Sequence, residues 1–201
     1  MTAPADPHRP SVAYDFTLRP LDPLTDAELV HGWMTHPRAA CRQMRGATLT
    51  DVERAYMAIA ASDHQEAYLG RYLGVPCFLM ERYDPAYVEL AGLYEPLPGD
   101  VGMHFFTAPP EVRVPGFTRG VLSAVLRELF ADPATGRVVV APAVRDTAVL
   151  ARNASVGFRA ETVIQKPEKE ALLSFCTRER FFQGLGETAL HRSGAAVPSR
   201  V

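Results

Sequence analysis

The chain has 201 residues, enough for one domain with a sizeable core, and 21 Lys plus Arg against 23 Asp plus Glu leave a formal charge of −2. That balance excludes the broad basic field of a nucleic-acid binder, and the absence of any run of about eighteen apolar residues argues against a membrane span or signal peptide, so a cytoplasmic protein is expected. Three cysteines, Cys41, Cys77 and Cys176, stand too far apart for paired zinc ligands, and no metal is expected.

Residues 1–12 contain three prolines and little apolar content, which predicts a flexible tail. Tyr14 to Arg19 alternates as a first strand. Thr25, with Glu28 three positions on, is a candidate cap for a helix carrying Leu29, Val30, Trp33 and Met34, which His36-Pro37 ends. Thr50 and Glu53 repeat the capping pattern ahead of a second helix through Tyr56, Met57, Ile59 and Ala60. Glu66 to Arg71 and Val75 to Tyr83 flank Gly74 as a hairpin, and Asp84 to Pro98 form a long loop rich in Tyr and Pro.

The most informative stretch follows. Val101, Met103 and Phe105 alternate with Gly102, His104 and Phe106 at the period of a strand. From Val121 the apolar positions Val121, Leu122, Val125, Leu126, Leu129 and Phe130 fall on one face of a helix. Between them lies Arg113-x-x-Gly116-x-Thr118, at a helix start where free N–H groups and the dipole favour phosphate. Glycine permits close backbone approach, and the guanidinium and hydroxyl suit phosphate oxygens; an ordinary loop-to-helix junction is the plainer alternative.

Asp132 to Gly136 read as a turn, Arg137 to Ala141 as a short buried strand, and Asp146 as the cap of a helix ending at Gly157. Phe158 to Lys166 and Glu170 to Thr177 complete the pattern as two strands. From Gly184 onward the Gly, Ala, Ser and Pro content predicts a disordered end, so the domain is expected over 13–183 with tails at 1–12 and 184–201.

This order of elements, with Arg113-x-x-Gly116-x-Thr118 between the fourth strand and the third helix, resembles the GNAT fold of acyl-CoA-dependent N-acyltransferases. The resemblance implies an α/β (α+β) domain with a mixed sheet of about seven strands, about four flanking helices, and a splay between strands 4 and 5. It implies that Arg113, Val114, Gly116, Phe117 and Thr118 wrap the pyrophosphate of an acyl-CoA, acetyl-CoA or succinyl-CoA, with Phe106 and Thr107 beside its pantetheine arm.

A narrower resemblance rests on Gly74 to Pro85, Gly99 to Pro110, Pro115 to Thr118 and Phe130 to Thr135. These blocks are similar to the siderophore-biosynthesis branch, the acyltransferases of aerobactin, alcaligin, desferrioxamine and mycobactin pathways. That branch acylates lysine, cadaverine or their N-hydroxy forms, which implies a small amine or hydroxylamine acceptor, no nucleic-acid or membrane partner, and a monomer or homodimer. His104 matches the branch histidine that acts near the acceptor nitrogen; the bland alternative is a packed strand histidine. Asn153 matches an asparagine of this branch and is a candidate hydrogen-bond partner for CoA, or equally a polar residue on a solvated helix face.

The chain departs from the branch at two places. Where the branch reads Glu-Pro-Asp-Val-Arg-Asn, Ala141-Pro-Ala143-Val-Arg145-Asp146 lacks at Ala143 the carboxylate expected to partner the histidine. Asp146 is the candidate replacement and also a ready N-cap. Cys41 and Arg42 stand where the branch has an aromatic pair lining the acceptor side. Trp33, Glu81 and Tyr94 are candidate acceptor-binding residues, Trp33 reading also as core of the first helix. The expected function is acyl transfer to a lysine- or cadaverine-like amine or N-hydroxylamine in siderophore biosynthesis. The alternatives are a GNAT acting on another amine in antibiotic-type metabolism, and a CoA-binding module with reduced catalysis.

Overall fold

The computed structural model describes residues 15–37, 46–110 and 114–193, with the backbone alone for 186–193. The tail at 1–12, the Cys41-Arg42 wall and Arg113 fall outside the described residues. In chain order the elements are β1 (Phe16–Pro20), α1 (Pro23–Thr35), α2 (Leu49–Ala60), β2 (Gln65–Tyr72), β3 (Val75–Tyr83), β4 (Asp100–Thr107), α3 (Phe117–Leu129), β5 (Arg137–Val140), α4 (Thr147–Ala154), β6 (Arg159–Lys166), β7 (Lys169–Thr177) and α5 (Arg178–Ser193).

The helix starts follow local chemistry, at positions slightly different from those expected. Asp22, not Thr25, caps α1: its carboxylate accepts from the Leu24 N–H at 2.9 Å, and Pro23 supplies a preset φ where no N–H is needed. For α2 the capping box is Thr48 with Asp51 rather than Thr50 with Glu53, because both reciprocal bonds form at the earlier pair, 3.2 Å and 2.9 Å. Asp146 caps α4 as expected, accepting from the Val149 N–H at 3.1 Å.

The seven strands form one sheet in the order β1-β2-β3-β4-β5-β7-β6, antiparallel at every junction except the parallel β4–β5 pair. That pair holds for three positions only, ending at Gly102 opposite Val139. Beyond Gly102, β4 continues to Thr107 paired with β3 alone. The cause lies after β5. Pro142 accepts from the Leu172 N–H at 2.8 Å, Val144 N–H donates to the Glu170 carbonyl, and Ala143 bridges Ala171, so this segment leans onto β7 and away from β4. The result is the splay expected between strands 4 and 5. The other end of the pair is fastened by Arg137, which donates two 2.7 Å bonds to the Asp100 carboxylate and lies 4.3 Å over the Phe175 ring.

Strand alternation sorts the side chains of β4 between two faces. Met103 and Phe105 join the core under α3, with Val121, Leu122, Val125, Leu126 and Leu129. On the opposite face, Phe106 packs with α1 and α2 around Val30, Val52, Tyr56 and Leu79, while Tyr83, Leu90, Val139, Ile164, Leu173 and Phe175 form a second cluster. His104 lies between the two clusters along β4. The ring of Tyr83 covers Gly102 so closely that a Cβ there would lie 2.2 Å from it, which explains the glycine.

Five helices are described, one more than expected. α5 runs across the boundary expected at 183, since Phe181 is buried against Phe130 and Arg178 donates to the Phe130 carbonyl at the end of α3. No helix of the described residues is long and apolar enough to cross a membrane.

Candidate active site

His104 and Glu81 are register partners across the antiparallel β3–β4 ladder, so both side chains emerge on the same face. His104 Nδ1 stands 3.5 Å from Glu81 Oε2, and Nε2 stands 2.8 Å from Glu89 Oε2. About half of the His104 side chain, 49%, stays open to solvent, which makes it reachable from outside.

Each carboxylate has its own support. Tyr56, on α2, donates its hydroxyl to Glu81 Oε1 at 2.7 Å. Glu89 sits in the loop between β3 and β4 at φ +50, and the Leu90 N–H closes back on the Val88 carbonyl across it, a tight γ-turn of the rare positive-φ kind. Leu90 is fully buried, so the turn is fastened on its far side. The ammonium of Lys166, at the end of β6 and itself only 6% exposed, pairs with Glu89 Oε1 and stands 3.5 Å from Glu168.

These neighbours set the protonation of the site. Burial disfavours a charge on His104, but the hydrogen bonds and charges of Glu81 and Glu89 outweigh it and push the imidazole up to about 9. Burial likewise works against the Glu89 anion, yet His104 and Lys166 hold its carboxyl down to about 2. At neutral pH the Glu89 carboxyl is therefore ionised and the imidazole charged. Tyr83 lies beside it, its ring 5.3 Å from the imidazole and its buried hydroxyl without a hydrogen-bond partner among the described residues.

The candidates named from the sequence are distributed unevenly around this point. Glu81 is at the site. Trp33 is half-buried and meets Phe106, two residues from His104 on the same face of β4, edge-on at 6.3 Å. Tyr94 donates its hydroxyl to Asp100 at 3.2 Å and packs on Phe175, which ties it to the fastened end of the β4–β5 pair. The Asp146 carboxylate is occupied as the cap of α4; the carboxylates facing His104 are Glu81 and Glu89. Neither Glu89 nor Lys166 stands out in the sequence, since a loop glutamate and a strand-end lysine carry no periodic or motif signal.

On the side expected to bind CoA, Thr107 ends β4 beyond the last β5 pairing. Gly116 begins α3 at φ +81 with no side chain capping the helix, and space is open where its Cβ would be. First-turn N–H groups at Thr118 and Arg119 can thus meet an anion closely. The ring of Phe117 itself packs 5.6 Å from Phe16, and Val114 is exposed. Asn153 is buried, so it does not sit on a solvated face. Beside α3 a groove of about 500 Å³ is lined by Arg119, Arg159 and Arg180, none in an ion pair among the described residues. Among the same residues no group of three or more His, Cys, Asp or Glu is placed so that it could hold a metal ion.

A mixed sheet that parts between β4 and β5, with an uncapped helix start after β4, is the architecture of an acyltransferase domain of the GNAT type. Residues 22–166 match the family model described as an acetyltransferase (GNAT) domain, and the chain belongs to that family. It is 29% identical over 142 residues to the lysine N-acyltransferase MbtK of Mycobacterium sp. (strain MCS), covering 70% of this chain and 58% of that protein. It is 25% identical over 179 residues to the N(6)-hydroxylysine O-acetyltransferase of Escherichia coli, covering 88% and 56%. A Stachybotrys chartarum protein whose name proposes an O-acetyltransferase, SAT14, is 28% identical over 193 residues, covering 90% and 42%. The chain thus spans about half the length of these curated relatives. Among solved structures, AAC(6')-Ib in complex with paromomycin and acetyl-CoA superposes with a TM-score of 0.73 at 20% identity, covering 84% of this chain and 96% of that one.

Proposed function

We propose that this domain transfers an acyl group from acetyl-CoA, succinyl-CoA or a similar thioester to the nitrogen of a small acceptor, a lysine- or cadaverine-like amine or N-hydroxylamine of siderophore biosynthesis. The observation that carries the reading is His104, half-open to solvent between Glu81 and Glu89 on the strand that parts from β5. The sequence relatives that act on lysine and hydroxylysine support the acceptor class. In the reaction the acceptor nitrogen attacks the thioester carbonyl, a C–N bond forms and the C–S bond breaks. The nitrogen loses one proton and the departing thiolate gains one. Holding both reactants together supplies much of the rate without a covalent enzyme intermediate.

On the CoA side, the backbone around Gly116 to Thr118 takes the pyrophosphate, and Arg119, Arg159 and Arg180 offer charge to the remaining phosphate. Val114, Phe117, Asn153, Phe106 and Thr107 complete that side, as does Arg113 beyond the described residues. On the acceptor side, protonated His104 donates a hydrogen bond and does not take a proton. An alkylammonium must lose a proton before it attacks, whereas an N-hydroxylamine is already largely neutral at pH 7. The charged resting state of His104 therefore favours the hydroxylamine at neutral pH.

Thiol release from acetyl- and succinyl-CoA, measured with lysine, cadaverine and their N-hydroxy forms at pH 7 and pH 9, tests this. Turnover of a hydroxylamine at pH 7, with amines gaining as the pH rises toward 9, is the expected result; binding of CoA with no turnover of any acceptor overturns it. A second reading, acylation of a polycationic amine such as an aminoglycoside, rests on the two carboxylates beside the half-open His104 and on the structural neighbour solved with an aminoglycoside bound. Thiol release with aminoglycosides but not hydroxylamines selects it.

A further inference from the structure

His104 is held unequally by its two carboxylates. At Nε2 the separation to Glu89 is 2.8 Å, a close ion-pair contact, whereas Nδ1 stands farther, 3.5 Å, from Glu81. Glu89 cannot easily swing away: its backbone sits in a γ-turn at φ +50, Leu90 next to it is buried, and its other oxygen is claimed by the buried Lys166. Glu81 is free of such a lock apart from the hydroxyl of Tyr56 on its other oxygen. The position where a carboxylate was expected, Ala143, carries none, and Asp146 is spent on α4.

We propose that Glu89, anchored by Lys166, is the positioning residue that substitutes for the carboxylate absent at Ala143: it grips His104 Nε2 and turns Nδ1 toward Glu81, so that the acceptor nitrogen binds between Nδ1 and Glu81. This rests on the acyl-transfer reading and adds to it an assignment of the two ring nitrogens. A carboxylate held against one imidazole nitrogen fixes the orientation of the ring and so aims the other nitrogen, which in the charged ring is a donor. The backbone at Glu89 stands at φ +50, in the left-handed region that a non-glycine residue enters at a cost. The groups facing His104 are Glu81 and Tyr83 of β3 and Glu89 of the loop, with Lys166 of β6 behind Glu89 and Tyr56 of α2 behind Glu81.

The test is NMR of the imidazole nitrogens in the full chain, with His104 assigned by its loss in His104→Gln. In the unaltered protein above about pH 10, the neutral ring is expected to carry its proton on Nε2, facing Glu89; a proton on Nδ1 overturns the proposal without any variant of Glu89. In Glu89→Gln the titration of His104 moves down from about 9 by about one pH unit or more. In Lys166→Met it moves up, because Glu89 then acts on the imidazole without a competing cation. Shifts in the same direction in the two variants, or none in Glu89→Gln, overturn the proposal. In turnover, Glu89→Gln lowers kcat about 10- to 100-fold with the KM for acyl-CoA unchanged, and Glu89→Asp restores part of it. A fall in kcat with equal loss of CoA affinity and no change in the pH profile marks a structural role and overturns it. If no acceptor is turned over at all, the proposed reaction fails, while the tautomer and titration still decide what holds His104.

Discussion

The two ends of β4 each carry an acid–base pair, built from the same materials and put to different use. At the start of the strand Asp100 receives two hydrogen bonds from Arg137, one from the Leu97 N–H and one from Tyr94, and its side chain is 1% exposed. Further along, His104 meets Glu81 and Glu89 and keeps half of its side chain in solvent. Arginine stays charged at any pH the protein meets, so the first pair is a permanent fastener for the short β4–β5 ladder. Histidine can lose its charge, and the second pair stands where the ladder has come apart. One end holds the strands together so that the other end can open.

The largest expected effect comes from breaking the open end. His104→Gln is expected to lower kcat/KM by about 10²- to 10³-fold, the effect of losing a charged hydrogen-bond donor, with the circular dichroism spectrum unchanged. A fall of less than about tenfold would remove His104 from the reaction.

Breaking the fastened end is expected to cost stability. Asp100→Ala leaves the Arg137 guanidinium without its counter-charge, at a cost of about 3 kcal/mol in urea unfolding, the low end for a buried pair because Arg137 keeps 24% of its side chain exposed. A variant as stable as the parent would show that the ladder does not need this fastener. Between the two ends, Gly102→Ala drives a methyl group into the Tyr83 ring and is expected to cost about 1–3 kcal/mol. It should also slow turnover, since Tyr83 lies against His104; full activity with lost stability would separate the two regions.

The smallest effect is a dependence of stability on pH. His104 titrates at about 9 in the folded chain against an ordinary 6.5, so its charged interactions contribute fully below about 6.5 and are lost as the pH rises through 9. A modest fall in Tm from pH 7 to pH 9.5 is expected in the parent and should be absent in His104→Gln. The half-open ring keeps it small, because solvent screens the pair. An identical fall in His104→Gln would place its origin elsewhere.

Much of this is legible in the residues. The alternation of β4 already separates His104 and Phe106 from Met103 and Phe105, and the helical spacing of Val121 to Phe130 marks the face that covers them. Asp146 has two readings at the level of sequence, cap and acid, because a carboxylate before a helix is chemically fit for both. Its place at the first turn of α4 settles what that carboxylate bonds to. The capping signals near α1 and α2 point to the right helices but the wrong partners, since Asp22 and Thr48 offer the same chemistry a few residues earlier.

By itself the sequence determined the order of elements through β7, the family and the face on which His104 stands, because these follow from local periodicity and from motifs that span few residues. Only the tertiary structure decided which carboxylates His104 meets. Glu89 reaches it through a positive-φ turn in a loop, and the charge that steadies Glu89 comes from Lys166, 77 residues further along the chain. Neither a turn with unfavourable backbone geometry nor an ion pair between a loop and a distant strand leaves a periodic trace, so the carboxylate nearest His104 stands where only the fold brings those two segments together.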